Sequence, residues 1–376
     1  MNNTTIKKVK VDYLLIIGVF LLCLIGAVFV YSASNYVAEI DYSDKFFYLK
    51  KQLIGYFLGA VAFIATSLVS YEKLKKYSLL IVIASIIMLI LVLTPLGKEA
   101  YGAKRWIAIG SFTIQPSELA KLALVIFSAS YFSADCSRTK TFKGILPVLA
   151  VGGLICLLII IEPNMSITVC VGLIMIAMLF LSGTNLKSLI LIIIPVLIAL
   201  PVMIIAEPYR MKRLMAFLDP WASPKGEGYQ LIQSLYALGA GGLFGTGLFK
   251  SRQKMRFLPF AESDFILSVI GEECGFFGIL ILFAVCLLIV WRLVVIARNA
   301  KDYFGYLLVI GICLTFIIQI AVNALVVTGS IPPTGLPFPL VSSGNTQIIV
   351  FMASFGIANN VSNHSVIKLT KDSALA

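Results

Sequence analysis

One histidine, His364, in 376 residues excludes a Ser-His-Asp triad and any multi-histidine metal site built from this chain. The seven cysteines form no CxxC pair, so neither a redox motif nor a cysteine metal cage is encoded. The glycine-rich stretch Gly239–Gly247 is not followed by GK[ST] and is therefore no P-loop. No period of 20–50 residues repeats, and no inverted pair of broken helices suggests transporter symmetry. Charge is also scarce. Only 13% of residues are charged against 60% hydrophobic, with a mean hydropathy of +0.99, more apolar surface than a water-facing globule can bury. Lipid is the solvent this composition implies, and any chemistry falls to carboxylates, lysines and hydroxyls.

What is present is a series of long apolar runs. Tyr13 to Ser32, after Lys7, Lys8 and Lys10, has the roughly 20 residues needed to cross a bilayer core. It exceeds the h-region of a cleavable signal, so it reads as a retained first helix. Comparable runs lie near 52–70, 77–94, 116–133, 145–162, 164–181, 186–206, 265–291, 304–327 and 341–361. The expectation is an all-α polytopic membrane protein, one domain over 1–376, with about ten transmembrane helices. Lys73, Lys75, Lys76, Arg138, Lys140, Lys143, Lys187, Arg292, Arg298, Lys301, Lys368 and Lys371 join the N-terminal lysines on one side. Lys45, Lys50, Lys51, Lys98, Lys104 and Arg105 occupy the short loops of the other. The positive-inside rule then puts both termini in the cytoplasm.

The largest interruption, about 207–263, is extracytoplasmic by that topology. Between Glu207 and Glu262 it holds eight basic and four acidic residues, an excess suited to an anion. Tyr229–Tyr236 has helical spacing and predicts a short interfacial helix, with the glycines behind it forming a flexible re-entrant turn.

Ionisable groups in or beside spans are candidates for function: Glu118, Lys121, Glu162, Asp264, Glu272 and Glu273. Glu118 and Lys121, spaced i and i+3, can pair, either as a packing feature or facing substrate beside Lys104, Arg105 and Trp106. Asp264 opens a span just after Arg252, Lys254 and Arg256. It either complements the helix dipole or acts as a general base on a sugar hydroxyl while the cations hold a leaving pyrophosphate. Glu272 and Glu273, among Gly271, Gly275 and Gly278, read as packing or interhelical hydrogen-bonding residues.

Val30-Tyr-Ser-Ala-Ser34, Gly102-Ala-Lys-Arg-Trp-Ile107, Gln115-Pro-Ser-Glu-Leu-Ala-Lys121, Arg213-Leu-Met-Ala-Phe-Leu-Asp-Pro-Trp221, Gly228-Tyr-Gln-Leu-Ile-Gln-Ser-Leu-Tyr236, Ser251-Arg-Gln-Lys254, Asp264-Phe-Ile266 and Pro333-Thr-Gly-Leu-Pro337 together resemble the SEDS family, which includes FtsW, RodA and SpoVE. The likeness spans nearly the whole chain and is closest to FtsW and SpoVE. It departs from the family pattern at Pro259-Phe260, Glu262-Ser263, Glu162-Pro-Asn-Met-Ser166 and Ser342-Ser-Gly-Asn-Thr-Gln347. If Glu262 lies close to Asp264, it raises the aspartate's pKa.

The resemblance implies a peptidoglycan glycosyltransferase of the bacterial cytoplasmic membrane that joins lipid II units into glycan strands and releases undecaprenyl pyrophosphate. Asp264 matches the family's catalytic aspartate. Lys104, Arg105, Trp106, Glu118, Lys121, Arg210, Arg213, Gln233, Arg252, Lys254, Arg256 and Ser342 are the substrate-binding candidates. The implied partners are lipid II, membrane lipids and a class B penicillin-binding protein, with no nucleic acid. No dedicated metal site is visible, and a divalent cation, Mg2+ or Mn2+, bridging pyrophosphate to carboxylates is compatible with the chemistry. A lipid II flippase and a non-catalytic scaffold for the penicillin-binding protein are the alternatives.

Overall fold

In the computed structural model the described residues are 5–8, 11–100, 103–110, 112–205, 207–364 and 366–369. Gly102, at the head of one motif, and Lys10 and Lys371, used for orientation, lie outside them. The elements are β1 (Thr5–Lys8), α1 (Tyr13–Tyr42), α2 (Phe47–Leu68), α3 (Glu72–Leu93), β2 (Gly97–Ala100), β3 (Ala103–Ile109), β4 (Phe112–Ile114), α4 (Pro116–Ala134), α5 (Phe142–Ile161), α6 (Met165–Leu181), α7 (Leu186–Ile205), α8 (Pro208–Leu218), α9 (Tyr229–Gly241), α10 (Ile266–Arg298), α11 (Tyr303–Val327), α12 (Asn345–Asn363) and β5 (Val366–Leu369). The protein is an all-α, multi-pass membrane protein with two small sheets: β1 paired antiparallel with β5, and a β2-β3-β4 meander.

Among the described residues a helix lies on each of the ten expected apolar runs, and these helices differ in how they relate to lipid. Among the described residues, α1, α2, α3, α5, α10 and α11 are long and apolar enough to cross a membrane by themselves. Helices α6 and α7 are shorter apolar helices. Helices α4 and α12 are mostly buried inside the protein, so they face other helices rather than lipid and tolerate polar groups such as Glu118, Lys121 and Gln347. Lipid-facing side chains are exposed and apolar, as on α3 at Leu79, Leu80, Ile83, Ile87 and Ile90.

Chain ends and loop lie on opposite faces. The pairing of β1 with β5 brings Thr5–Lys8 beside Val366–Leu369. At that end of α1, Asp12 caps the helix and receives Arg292 in a bidentate pair (2.6 and 3.2 Å) from the far end of α10. At the other end of α1, Asp41 pairs with Arg256 of the loop. Thirty residues at 1.5 Å rise separate the two pairs by about 45 Å.

The loop is more ordered than its composition predicts. It contains α8, a 3-10 turn over Pro220–Ala222, and α9, which extends five residues past the expected Tyr236. Helix α9 buries Leu231, Ile232, Ser234 and Ala237 against the bundle. Ser234 Oγ contacts Ser268 Oγ (2.8 Å) and donates to the Val327 carbonyl (2.7 Å).

The glycines behind α9 are stitched into a break in α10. At Gly275 the backbone leaves helical geometry (φ 66°, ψ −164°) and frees groups on both sides. The Glu272 and Glu273 carbonyls accept from the Thr246 and Gly247 amides (2.9 and 3.0 Å). The Phe276 and Phe277 amides donate to the Gly242 and Leu243 carbonyls (2.9 and 3.2 Å). Two carbonyls before the break and two amides after it are thus re-satisfied, as a buried membrane backbone requires. Side chains are excluded: a Cβ on Gly245, which has φ +79°, would meet the Glu273 carbonyl oxygen at 2.1 Å. Gly245→Ala is expected to lose at least the roughly 1–3 kcal/mol of left-handed strain, and more from the clash, read as a lower unfolding temperature in detergent.

Candidate functional site

Asp264 sits in the last loop residues before α10, partly exposed, with its carboxylate facing Gly335, where a Cβ would approach Oδ2 to 3.1 Å. Gly335 belongs to the irregular segment joining α11 to α12, which crosses this face of the bundle. That segment is fixed largely through its carbonyls. Arg213 of α8 donates to Pro333 (3.3 Å), Ser166 of α6 donates to Thr334, and Asn323 of α11 donates to Leu336 (2.7 Å) and to the Asp264 carbonyl itself (2.8 Å). Gln319 and Gln347 both donate to Pro337 (3.2 and 2.9 Å). Ser342, fully buried, receives the Phe338 amide (2.8 Å) and donates to the Ser263 carbonyl (2.5 Å), and the Ser343 amide donates to the Glu262 carbonyl (2.9 Å). Asp264 and the crossing segment are thus one construction.

The electrostatics of Asp264 are balanced between opposing neighbours. Burial raises its carboxyl to about 6, Glu262 adds to the rise, and Arg213 and Arg105 oppose it. Glu262 is itself raised, chiefly by burial. The sequence expectation that Glu262 acts on Asp264 therefore holds in sign. A general base must be ionised, so activity resting on Asp264 rises with pH through about 6. Glu262→Gln removes a raising charge and is expected to move that acid limb to lower pH, measured as a pH–rate profile.

Two of the candidate cations converge on Asp264. Arg213 comes from α8. Arg105 comes from β3, at the register shift between its pairs with β2, and its guanidinium bonds the Glu162 and Pro163 carbonyls. Trp106 and Lys104 flank it on the same strand, both half-buried, and Arg210 is half-buried one helical turn before Arg213. Lys121, 2% exposed, pairs with Glu118 (2.8 Å) and donates to Gln319 (2.7 Å). Through Gln319 the pair supports Pro337, so its visible work is to hold the crossing segment.

The remaining candidates are placed elsewhere. The Lys254 ammonium, 3% exposed, is taken up by Glu273 (2.9 Å) and Ser32 (3.0 Å). Glu272 accepts the Ser251 hydroxyl and the Arg252 and Gln253 amides (2.8 and 3.3 Å), so the two glutamates clamp the Ser251–Lys254 turn. Arg256 pairs with Asp41, while Arg252 is exposed on the clamped turn. Gln233 is half-buried on α9 and shares no hydrogen bond with the Asp264 group among the described residues. Gln319, Asn323 and Gln347 were not foreseen, although Gln319 and Asn323, four apart in an apolar span, carry a readable signal.

A family model described as "Cell cycle protein" and covering FtsW, RodA and SpoVE matches residues 12–367. Stage V sporulation protein E of Bacillus subtilis (strain 168) is 38% identical over 367 residues, spanning 96% of this chain and 99% of that protein. A probable peptidoglycan glycosyltransferase FtsW of Trichlorobacter lovleyi is 38% identical over 361 residues, spanning 95% and 94%. Among solved structures, a chain from work on the coordination of polymerization and crosslinking by a peptidoglycan synthase complex aligns with a TM-score of 0.78 at 26% identity, over 94% of this chain and 98% of that one. The rod shape determining protein RodA of Thermus thermophilus shares the fold, with a TM-score of 0.70 at 24% identity over 94% and 97% of the two chains.

Proposed function

Because the chain belongs to the family of FtsW, RodA and SpoVE, we propose that it is a peptidoglycan glycosyltransferase acting as one membrane domain, polymerising lipid II on the outer face of the bacterial cytoplasmic membrane. The observation that carries this reading is Asp264: a partly exposed carboxylate, raised to about 6, between Arg213 and Arg105. In the proposed step Asp264 takes the proton of the acceptor sugar hydroxyl as its oxygen attacks the donor's anomeric carbon. The bond to pyrophosphate breaks with inversion, and Arg105 and Arg213 stabilise the departing charge. The acceptor-site hydroxyl thereby becomes the new glycosidic oxygen, and undecaprenyl pyrophosphate leaves.

Orientation follows from the cation distribution, which favours cytoplasmic termini and an extracytoplasmic Asp264. A class B penicillin-binding protein is the proposed partner, in keeping with the solved relative that joins polymerization to crosslinking. A divalent cation, Mg2+ or Mn2+, would arrive with the pyrophosphate. Among the described residues no group of three His, Cys, Asp or Glu side chains is placed to hold one, and Asp264 must stay free to take a proton, so the cation would be held chiefly by the pyrophosphate oxygens.

The test is to supply the purified protein and its partner with labelled lipid II in proteoliposomes. Glycan ladders with release of undecaprenyl pyrophosphate are expected. Transbilayer movement of lipid II without polymer, unchanged in Asp264→Ala, would instead establish the flippase.

A further inference from the structure

Glu162, the residue after α5, carries a carboxyl outside the proposed chemistry. It is 1% exposed, and among the described residues it is the one carboxylate with both oxygens buried and bonded by no protein group. Buried polar atoms are nearly always satisfied, so two orphans on one side chain call for a ligand. Glu162 lies in the wall of a cleft of about 250 Å³, shared with Lys104 and Glu99 from the β2–β3 hairpin and with Leu93 and Pro163. Sites for drug-sized ligands run from roughly 300 to 1,000 Å³, so this one suits a single ring.

The cleft adjoins the Asp264 site through one side chain. Arg105 bonds the Glu162 and Pro163 carbonyls, and its charge acts on both the Glu162 and Asp264 carboxyls. We propose that the cleft is a saccharide subsite, in which the Glu162 carboxyl hydrogen-bonds a hydroxyl or acetamido group of one N-acetylhexosamine ring of the lipid-linked substrate. This rests on the function proposed above. The chemistry of the walls selects the class of ligand. With Glu162 protonated, the one charged carboxylate, Glu99, is matched by the one ammonium, Lys104, so the lining holds no net charge for a phosphate or a cation, whereas hydroxyl and amide groups match a carboxyl that both donates and accepts. Burial raises Glu162 to about 8 against the lowering charge of Arg105, so it keeps its proton at neutral pH and can do both.

The experiment measures binding of fluorescent lipid II and of undecaprenyl pyrophosphate, which lacks the saccharide, to the full chain in nanodiscs. Glu162→Leu is expected to weaken lipid II binding about tenfold and to leave undecaprenyl pyrophosphate within about twofold, while Glu162→Gln, which keeps a donor and an acceptor, holds lipid II within about threefold. Equal loss for both lipids would make Glu162 merely structural, and unchanged lipid II binding by Glu162→Leu would remove the subsite. Either result overturns the proposal. Wild-type protein that binds neither lipid would overturn the proposed function itself, and the subsite with it.

Discussion

Asp264→Ala is expected to lower glycan polymerisation by about 10²–10⁴-fold, the range supplied by a positioned general base. Asp264→Asn should lose nearly as much, because the amide preserves shape and hydrogen bonding but cannot take a proton. Lipid II binding should persist in both, since Arg105, Arg213 and the crossing segment remain. The fold should persist too. The main-chain carbonyl of Asp264, not its carboxylate, receives Asn323, and Ser342 anchors the neighbouring Ser263 carbonyl. The effect should therefore appear in kcat, measured against lipid II concentration, with KM little changed.

Lys121→Met is expected to carry the largest cost in stability. Its ammonium sits between Glu118 and Gln319, with both charged partners 2% exposed. Removing it leaves a buried carboxylate without a counter-charge, a change that typically costs about 3–5 kcal/mol. The double replacement Glu118→Met with Lys121→Met should recover most of that loss, because a buried pair exchanged for apolar groups is often near neutral. Activity need not recover with stability, since Gln319 would have lost the group that fixes its oxygen while its amide holds Pro337. Unfolding midpoints in mixed micelles, set beside polymerisation rates for the same three variants, separate the two effects.

Much of this fold was legible because a membrane imposes length and polarity on each crossing. The run from Tyr13, the Glu118–Lys121 spacing and the proline opening α4 are local signals with one physical reading each. The break in α10 was not legible, because the apolar run continues through Gly275 and only the approach of Gly242–Gly247 makes the break tolerable. The β2–β4 meander escaped notice because it lies outside any span, in a short loop read only for charge. The reason it forms is tertiary: Thr346 of α12 donates to the Thr113 carbonyl (3.0 Å) and accepts the Gln115 amide (3.1 Å).

The site was legible in its centre and less so at its edges. Asp264 and Glu262 are two apart, and the influence of Glu262 on Asp264 follows from spacing. Lys254 and Ser342 belong to motifs near Asp264 in sequence or space, yet sequence does not show where a side chain points. Lys254 turns inward to Glu273, and Ser342 latches the backbone on which Asp264 rides. Arg105 and Arg213, by contrast, are far apart in the chain and meet at Asp264 only through the fold.

The most direct test of Asp264 as the base is the initial rate of lipid II polymerisation across pH 5 to 8 for wild type and Asp264→Asn, each with its partner. The account predicts a wild-type rate that climbs through about pH 6, matching the raised aspartate, and a variant rate about 10²-fold or more lower that shows no such climb. Ladders of equal length and equal pH dependence from Asp264→Asn would contradict it.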